Sequence, residues 1–550
     1  MLARSALAAL ALLAASVCTA AVMTALRLPT GLLPPVFALL LVAGAVAFSR
    51  LPLVADASGP RWFEGALIGW AALIQLVRLV PYTAQYVTGH LGAAVNYDDN
   101  WHFQELASLV HGARFPPLLN YQPDTHLHFY YVAWMPAAAL GELFGLAGVS
   151  WLKIAYGAGT LLLGVAAAVI LIVFLRHALE QRQRGPALTA LLLAGAVPDG
   201  IAVLARWIGG LAATPADWLA HAEWWQLEFG IPNQISSLTT LLIWVPHHLI
   251  SGMALLLAVV VATEPRTLAP RASLVAMAAA GLLVGFSAFS SVFACMGGLF
   301  ALSPLFARFV VRRRTFLASL TAIAAAAVVA APLAYLYLNA DSSGGFRLFL
   351  IFTRWRGQFG SAAAGFAGLG LAAAFVMAEV GWLAWLALRP PPSPLESPLG
   401  RCAVAATIWL AATVVVSFSG ANNLAMRGSI VPVVLIATYW AQARVAASAS
   451  GEPRWSRPAL AAAALVALLA GATHLNEALR HGRNSLDAIA YAAETEACKA
   501  RIMAANAGAP GEVDPSAWGC RDTYSVYGLE RPFHKRDLGE PDRELMGRGP

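Results

Sequence analysis

Residues 96–103 read NYDDNWHF, with Asp98 and Asp99 adjacent and His102 four residues after Asp98. A carboxylate can take a proton from a hydroxyl, and an imidazole can hold or pass one near neutral pH. The ordinary role of such a stretch is a cap, with Asp98 or Asp99 opening the helix NWHFQELASLVHG. The chain continues as GARFPPLLNYQPDTHLHFYYVAW, dense in aromatics and histidines and almost free of Ser or Gly filler. A loop of that composition, carrying His102, Asp124, His126 and His128 beside the carboxylate pair, reads as the wall of a site.

Three further patches carry polar chemistry in apolar surroundings. In SSLTTLLIWVPHHLISG, His247 and His248 follow Pro246 inside an apolar run. Ionisable groups at membrane depth are costly and default to functional candidates. The competing reading is a histidine bonded to a backbone carbonyl that Pro246 frees. Neighbours on a helix point about 100° apart, so at most one of the two is expected to face a site. In SGANNLAMRGSIVPVVL, Arg427 opens an apolar run after Asn422 and Asn423. Its planar fork of donors suits a phosphate, and the other reading is an arginine snorkelling to lipid head groups. In GGFRLFLIFTRWRGQFG, Arg347, Arg354 and Arg356 alternate with aromatics; this is either an interfacial helix or a cradle for a lipid-linked phosphate. Asp124, His126 and His128 have a spacing that a divalent metal ion could use, and no ligand set is assigned. No HExxH, CxxC or phosphate-cradling glycine motif stands out.

These residues sit in a chain built for lipid. Of 550 residues 59% are hydrophobic and 12% charged, with mean hydropathy +0.66, against about 45–50% apolar and about 25% charged in soluble domains. The expected fold is an all-α integral membrane protein with about 13 transmembrane helices (a range of 12 to 14). Spans are expected near 5–26, 31–48, 64–81, 152–175, 187–205, 236–262, 272–287, 290–307, 316–338, 361–388, 402–418, 427–445 and 459–473. Phe129–Leu146 is apolar but short and carries Pro136 and Glu142. If it does not cross and the N-terminus is cytoplasmic, Arg50, Arg176, Arg182, Arg184 and Arg312–Arg314 all fall inside, as the positive-inside bias requires. It is then an external juxtamembrane or re-entrant helix.

The loops at about 82–128, 206–235, 339–360 and 419–426 accordingly share the extracytoplasmic face. Residues 1–473 form a polytopic domain with the external loop at 82–128 as its catalytic part, and 474–550 a small polar external tail. Cys498 and Cys520 in that tail are candidates for a disulfide in an oxidising compartment. The net charge of +7 is carried mostly by short inter-span loops, which argues against nucleic acid as a partner.

The pattern D-D-x-W-H, then G-A-R-F-P-P, then Y-Q-P-x-x-x-L-H-F-Y-Y resembles the first external loop of C-type membrane glycosyltransferases. That superfamily includes protein O-mannosyltransferases and aminoarabinose transferases. Trp244, Pro246 and His248 are similar to its W-x-P-x-H pattern, and His247 stands where Gln would be expected. Arg427, Ser429 and Pro432 resemble its N-D-x-x-M-R-x-S-[IL]-P motif, with Asn423 in place of Asp. The resemblance implies a polyprenyl-phosphate sugar donor, an extracytoplasmic acceptor, and a carboxylate base in this loop. That base would be Asp98, which starts the spacing to His102, with Asp99 as second choice. His102, His128, His248, Arg347, Arg427 and Asn423 are the candidate substrate contacts, and some members use a divalent ion. The location implied is a bacterial plasma membrane, with the N-terminus inside and the C-terminus outside. The competing readings are a polytopic transporter or lipid flippase, and a non-catalytic assembly subunit.

Overall fold

The computed structural model describes residues 2–51, 53, 62–88, 102, 105–106, 108–110, 114–119, 122–127, 131–146, 152–196, 235–263, 270–311, 316–339, 348–389, 393–418, 423–449 and 465. Asp98, Asp99, His128, Arg347, Cys498, Cys520 and the tail at 474–550 lie outside them.

The chain opens with α1 (Leu2–Ala25), α2 (Leu33–Phe48) and α3 (Trp62–Thr88). In the long loop, His102, Glu105, Leu106 and Ser108–Val110 are helical. A short antiparallel pair follows, β1 (Leu118–Leu119) with β2 (Gln122–His126). A 3-10 turn at Tyr131–Trp134 leads into α4 (Met135–Leu146). Then come α5 (Leu152–Ala178), α6 (Gln181–Leu193), α7 (Leu238–Trp244), α8 (Pro246–Thr263), α9 (Pro270–Ser290), α10 (Val292–Val311) and α11 (Phe316–Asn339). Strand β3 (Leu348–Leu350) and α12 (Ile351–Phe359) precede α13 (Ala362–Val376), which runs through a π-turn at Met377–Gly381 into α14 (Trp382–Leu388). The last elements are α15 (Pro398–Val415), β4 (Val416–Phe418), α16 (Asn423–Met426) and α17 (Ile430–Ala449).

Among the described residues nine helices are long and apolar enough to cross a membrane. The spans expected at 64–81 and 290–307 appear as the shorter apolar helices Trp62–Val77 and Val292–Ala307. The sheets are two two-stranded pieces. The protein is an all-α multi-pass membrane protein. Helix α4 has 12 residues, about 18 Å long, against a hydrocarbon core of about 30 Å.

The span expected at 236–262 is corrected: it is two helices. Val245 leaves helical geometry at φ −140°, ψ 58°, and Pro246 starts α8 where its missing N–H is least costly. Proline has no N–H to offer the Leu242 carbonyl four residues back. Gln75 Nε2, from α3, donates to that carbonyl instead. Gly164 on α5 leaves the room that the Gln75 side chain fills. The freed carbonyl is thus satisfied by Gln75.

The bundle core is packed through α1 on α2, α5 and α9, and through α9 on α8 and α11. Helices α8, α10 and α17 approach closely at glycines that leave room for the facing helix, as at membrane helix contacts generally. Any side chain at Gly297 would overlap the Gly428 backbone, and one at Gly252 would meet Ile430.

One end of this bundle collects the polar loops. The pairing of β3 with β4 joins the segment before α12 to the one before α16, and Phe293 at the start of α10 packs against Phe418. The long loop is tied to the same end: Phe115 N–H donates to the Leu28 carbonyl, 2.9 Å, just beyond α1. At the opposite end, Arg176 on α5 makes a two-pronged pair with Glu64 on α3, with Nε to Oε1 at 2.9 Å. Both side chains are buried.

Candidate functional site

The helical piece of the long loop brings two polar side chains inward. His102 and Glu105 are spaced i, i+3 and so share one helix face. The His102 ring Nδ1 lies 3.0 Å from Glu105 Oε2. Trp134 Nε1–H donates to the same oxygen at 3.1 Å. All three residues are buried. A carboxylate accepting at Nδ1 fixes the imidazole tautomer and orientation, and leaves Nε2 as the atom that can gain or lose a proton.

The second component comes from the first turn of α8. His247 packs edge-to-face on His102, with ring centroids 4.1 Å apart, and lies 5.4 Å from the Trp134 ring. His248 stacks beside His247 at 3.8 Å, their Nε2 atoms 3.1 Å apart. Both histidines are fully buried. An N···N contact of this length needs one nitrogen protonated and the other bare, so the pair carries at most one positive charge. Of the two, His247 and not His248 packs on the His102 ring.

The third component is the turn between α16 and α17. Arg427 N–H and Gly428 N–H both donate to the Asn423 carbonyl, at 3.0 and 3.3 Å. The Arg427 guanidinium, half-buried, lies within electrostatic reach of His248. The close approach of Gly297 to Gly428 holds this turn against α10. Ser251, one turn after His247, donates to the Ser287 carbonyl of α9 at 2.9 Å and so anchors the start of α8.

Aromatic packing closes the cluster. Tyr156 on α5 lies 5.1 Å from Trp134. Tyr131, beside Trp134, has its hydroxyl 3.3 Å from Thr24 Oγ1 on α1. Burial pushes the Tyr131 phenol well above its ordinary range, so it is a neutral hydrogen-bonding group.

Two separate stretches of sequence therefore meet, His102 from the long loop and the His247–His248 pair from α8, and Arg427 from the α16–α17 turn lies within electrostatic reach of His248. Asn423 stands one turn before Arg427 and takes part through its backbone. Sequence reasoning missed Glu105, Trp134 and Tyr156 and underweighted His247. The i, i+3 spacing could have revealed Glu105, whereas nothing local marks Trp134. Asp124 and His126 lie on β2. Among the described residues no group of three or more His, Cys, Asp or Glu is placed to hold a metal ion. The arginine-rich segment is β3 followed by α12, which ends in the left-handed Gly360 (φ 73°). There Trp355 is buried with Ile351 and Ala372, and Arg354 lies over the Phe349 ring at 6.0 Å.

No family model matches the chain, and no curated protein matches it either. Among solved structures it is similar to the archaeal oligosaccharyltransferase AglB from Archaeoglobus fulgidus, solved with an inhibitory peptide and a dolichol-phosphate. The identity is 14% and the TM-score 0.37. The match covers 87% of this chain and 61% of that one, so this chain spans under two thirds of that protein's length.

Proposed function

We propose that the protein is a membrane glycosyltransferase that moves a sugar from a polyprenyl-phosphate donor to an extracytoplasmic acceptor. The observation that supports this reading is the contact of His102 and Glu105 with the His247–His248 pair at one end of a lipid-embedded bundle, with Arg427 in electrostatic reach of His248. A lipid-linked sugar presents its phosphate at head-group depth, where an arginine fork and buried imidazoles suit an anion.

In this reading Asp98, or Asp99 as second choice, accepts the proton of the acceptor hydroxyl as its oxygen attacks the anomeric carbon. The bond to the polyprenyl phosphate breaks, and Arg427 with His248 stabilises the charge left on the phosphate. A single displacement inverts the anomeric centre. Arg347, His128 and Asn423 are proposed to help hold the substrate. His102, fixed at Nδ1 by Glu105, either positions the acceptor or contacts the donor phosphate.

The test is a pair of variants, Asp98→Asn and Asp99→Asn, assayed in membranes at equal protein levels. Glycan loss with accumulation of the lipid-linked donor is expected for the base, by about 10²–10⁴-fold in rate. Unchanged glycan and donor pools for both variants would sink the transferase reading. The break at Val245–Pro246 is the feature that favours a transporter. Solute uptake that depends on His247 and His248, with glycan pools unmoved, would establish that reading instead.

A further inference from the structure

An apolar groove of about 540 Å³ lies between α13–α14 and α15. Val376, Met377, Gly381, Trp385, Leu410 and Val414 line it, and Arg389 stands at its end. The π-turn at Met377–Gly381 shapes one wall: its extra residue interrupts the regular helical ridge. Met377 and Trp385 are each 55% exposed on the lip of the groove. The Arg389 guanidinium sits 4.7 Å over the Trp385 ring, which holds the cation at the groove mouth.

We infer that this groove binds one acyl chain of an anionic phospholipid, with its phosphate on Arg389. The lining is hydrocarbon throughout apart from Thr407 and Arg389, so the chain belongs to a lipid and not to a polar ligand. The charge at its end selects an anionic head group, worth about a fivefold preference for one arginine near a bilayer surface. The position of Arg389 separates this lipid from a glycosyl donor. Helix α13, its π-turn and α14 together span 27 residues, about 40 Å. Arg389 follows at the end opposite β3 and α12, and so at the leaflet opposite the histidine cluster. A phosphate bound there cannot reach His248 or Arg427. The lipid is a bound structural partner that fills the gap between α13–α14 and α15.

Native mass spectrometry of the purified full chain, transferred to nanodiscs of phosphatidylglycerol or phosphatidylcholine, tests this. The wild type is expected to retain one phosphatidylglycerol in preference to phosphatidylcholine. Arg389→Gln should lower that preference about fivefold, and Ala411→Trp, which fills the groove, should abolish retention of either lipid. Circular dichroism of both variants in detergent checks that they are folded. Equal retention across wild type and both folded variants overturns the inference. So does a polyprenyl phosphate, and no phospholipid, displaced by Ala411→Trp. Glycan transfer enters neither readout, so the result is independent of the proposed activity.

Discussion

Glu105 accepts from His102 and Trp134 at a single oxygen, so shape and charge can be separated at this position. Glu105→Gln keeps an acceptor but removes the anion that orients His102. Transfer is expected to fall about 10²-fold or more while thermal stability changes little. Glu105→Leu leaves the Trp134 N–H without an acceptor and is expected to cost about 1–3 kcal/mol of stability as well. Unfolding in detergent read beside the glycan assay distinguishes the two effects. Equal activity for Glu105→Gln and wild type would make the Glu105–His102 contact purely structural. A comparison of Asp98→Asn with Asp99→Asn assigns the base: the variant that stops chemistry without weakening donor binding identifies the proton acceptor.

Two polar contacts between helices govern how the elements sit. Gln75 takes the Leu242 carbonyl that Pro246 frees, which fixes the start of α8 and thereby the His247–His248 pair. Gln75→Leu is expected to cost about 1–3 kcal/mol, because a buried carbonyl loses its donor, and to lower activity from a distance. Unaltered melting of Gln75→Leu would mean that the carbonyl finds another donor. At the far end, Glu64 and Arg176 pair between α3 and α5 while buried. Removing one partner leaves a buried charge, so Arg176→Met is expected to cost about 3–5 kcal/mol. The double variant Glu64→Leu with Arg176→Met should recover most of that loss, because two matched apolar side chains need no partner. Thermal unfolding of the two single variants and the double measures the coupling directly.

For the whole molecule, sidedness is the property that the proposed activity depends on. The histidine cluster and the β3–β4 pair lie at one end of the bundle, and Arg176, Arg182 and Arg184 at the other. From the charge bias we propose that the second end faces the cytoplasm. Single cysteines introduced at Arg182 and Ser361, in a background lacking the native thiols, test this in intact cells. A membrane-impermeant maleimide is expected to label position 361 and to reach position 182 after permeabilisation alone. The reverse pattern would invert the protein and remove the external acceptor from reach.

Composition and the length of the apolar runs were enough to establish an all-helical membrane protein and most of its spans, because lipid forces the backbone to satisfy its own hydrogen bonds. Residue type and local spacing likewise marked His102, His248 and Arg427, since ionisable groups are conspicuous in an apolar chain. The sequence did not show that His247 joins His102 to His248, that Arg427 comes within electrostatic reach of His248, or that Glu105 and Trp134 hold His102. The first two join residues more than 100 positions apart, and the Trp134–Glu105 contact joins residues 29 apart, through packing that has no local signature. The break at Pro246 was visible as a proline. Its consequence was decided in three dimensions, where Gln75 from another helix reaches the freed carbonyl and leaves the histidines to the site.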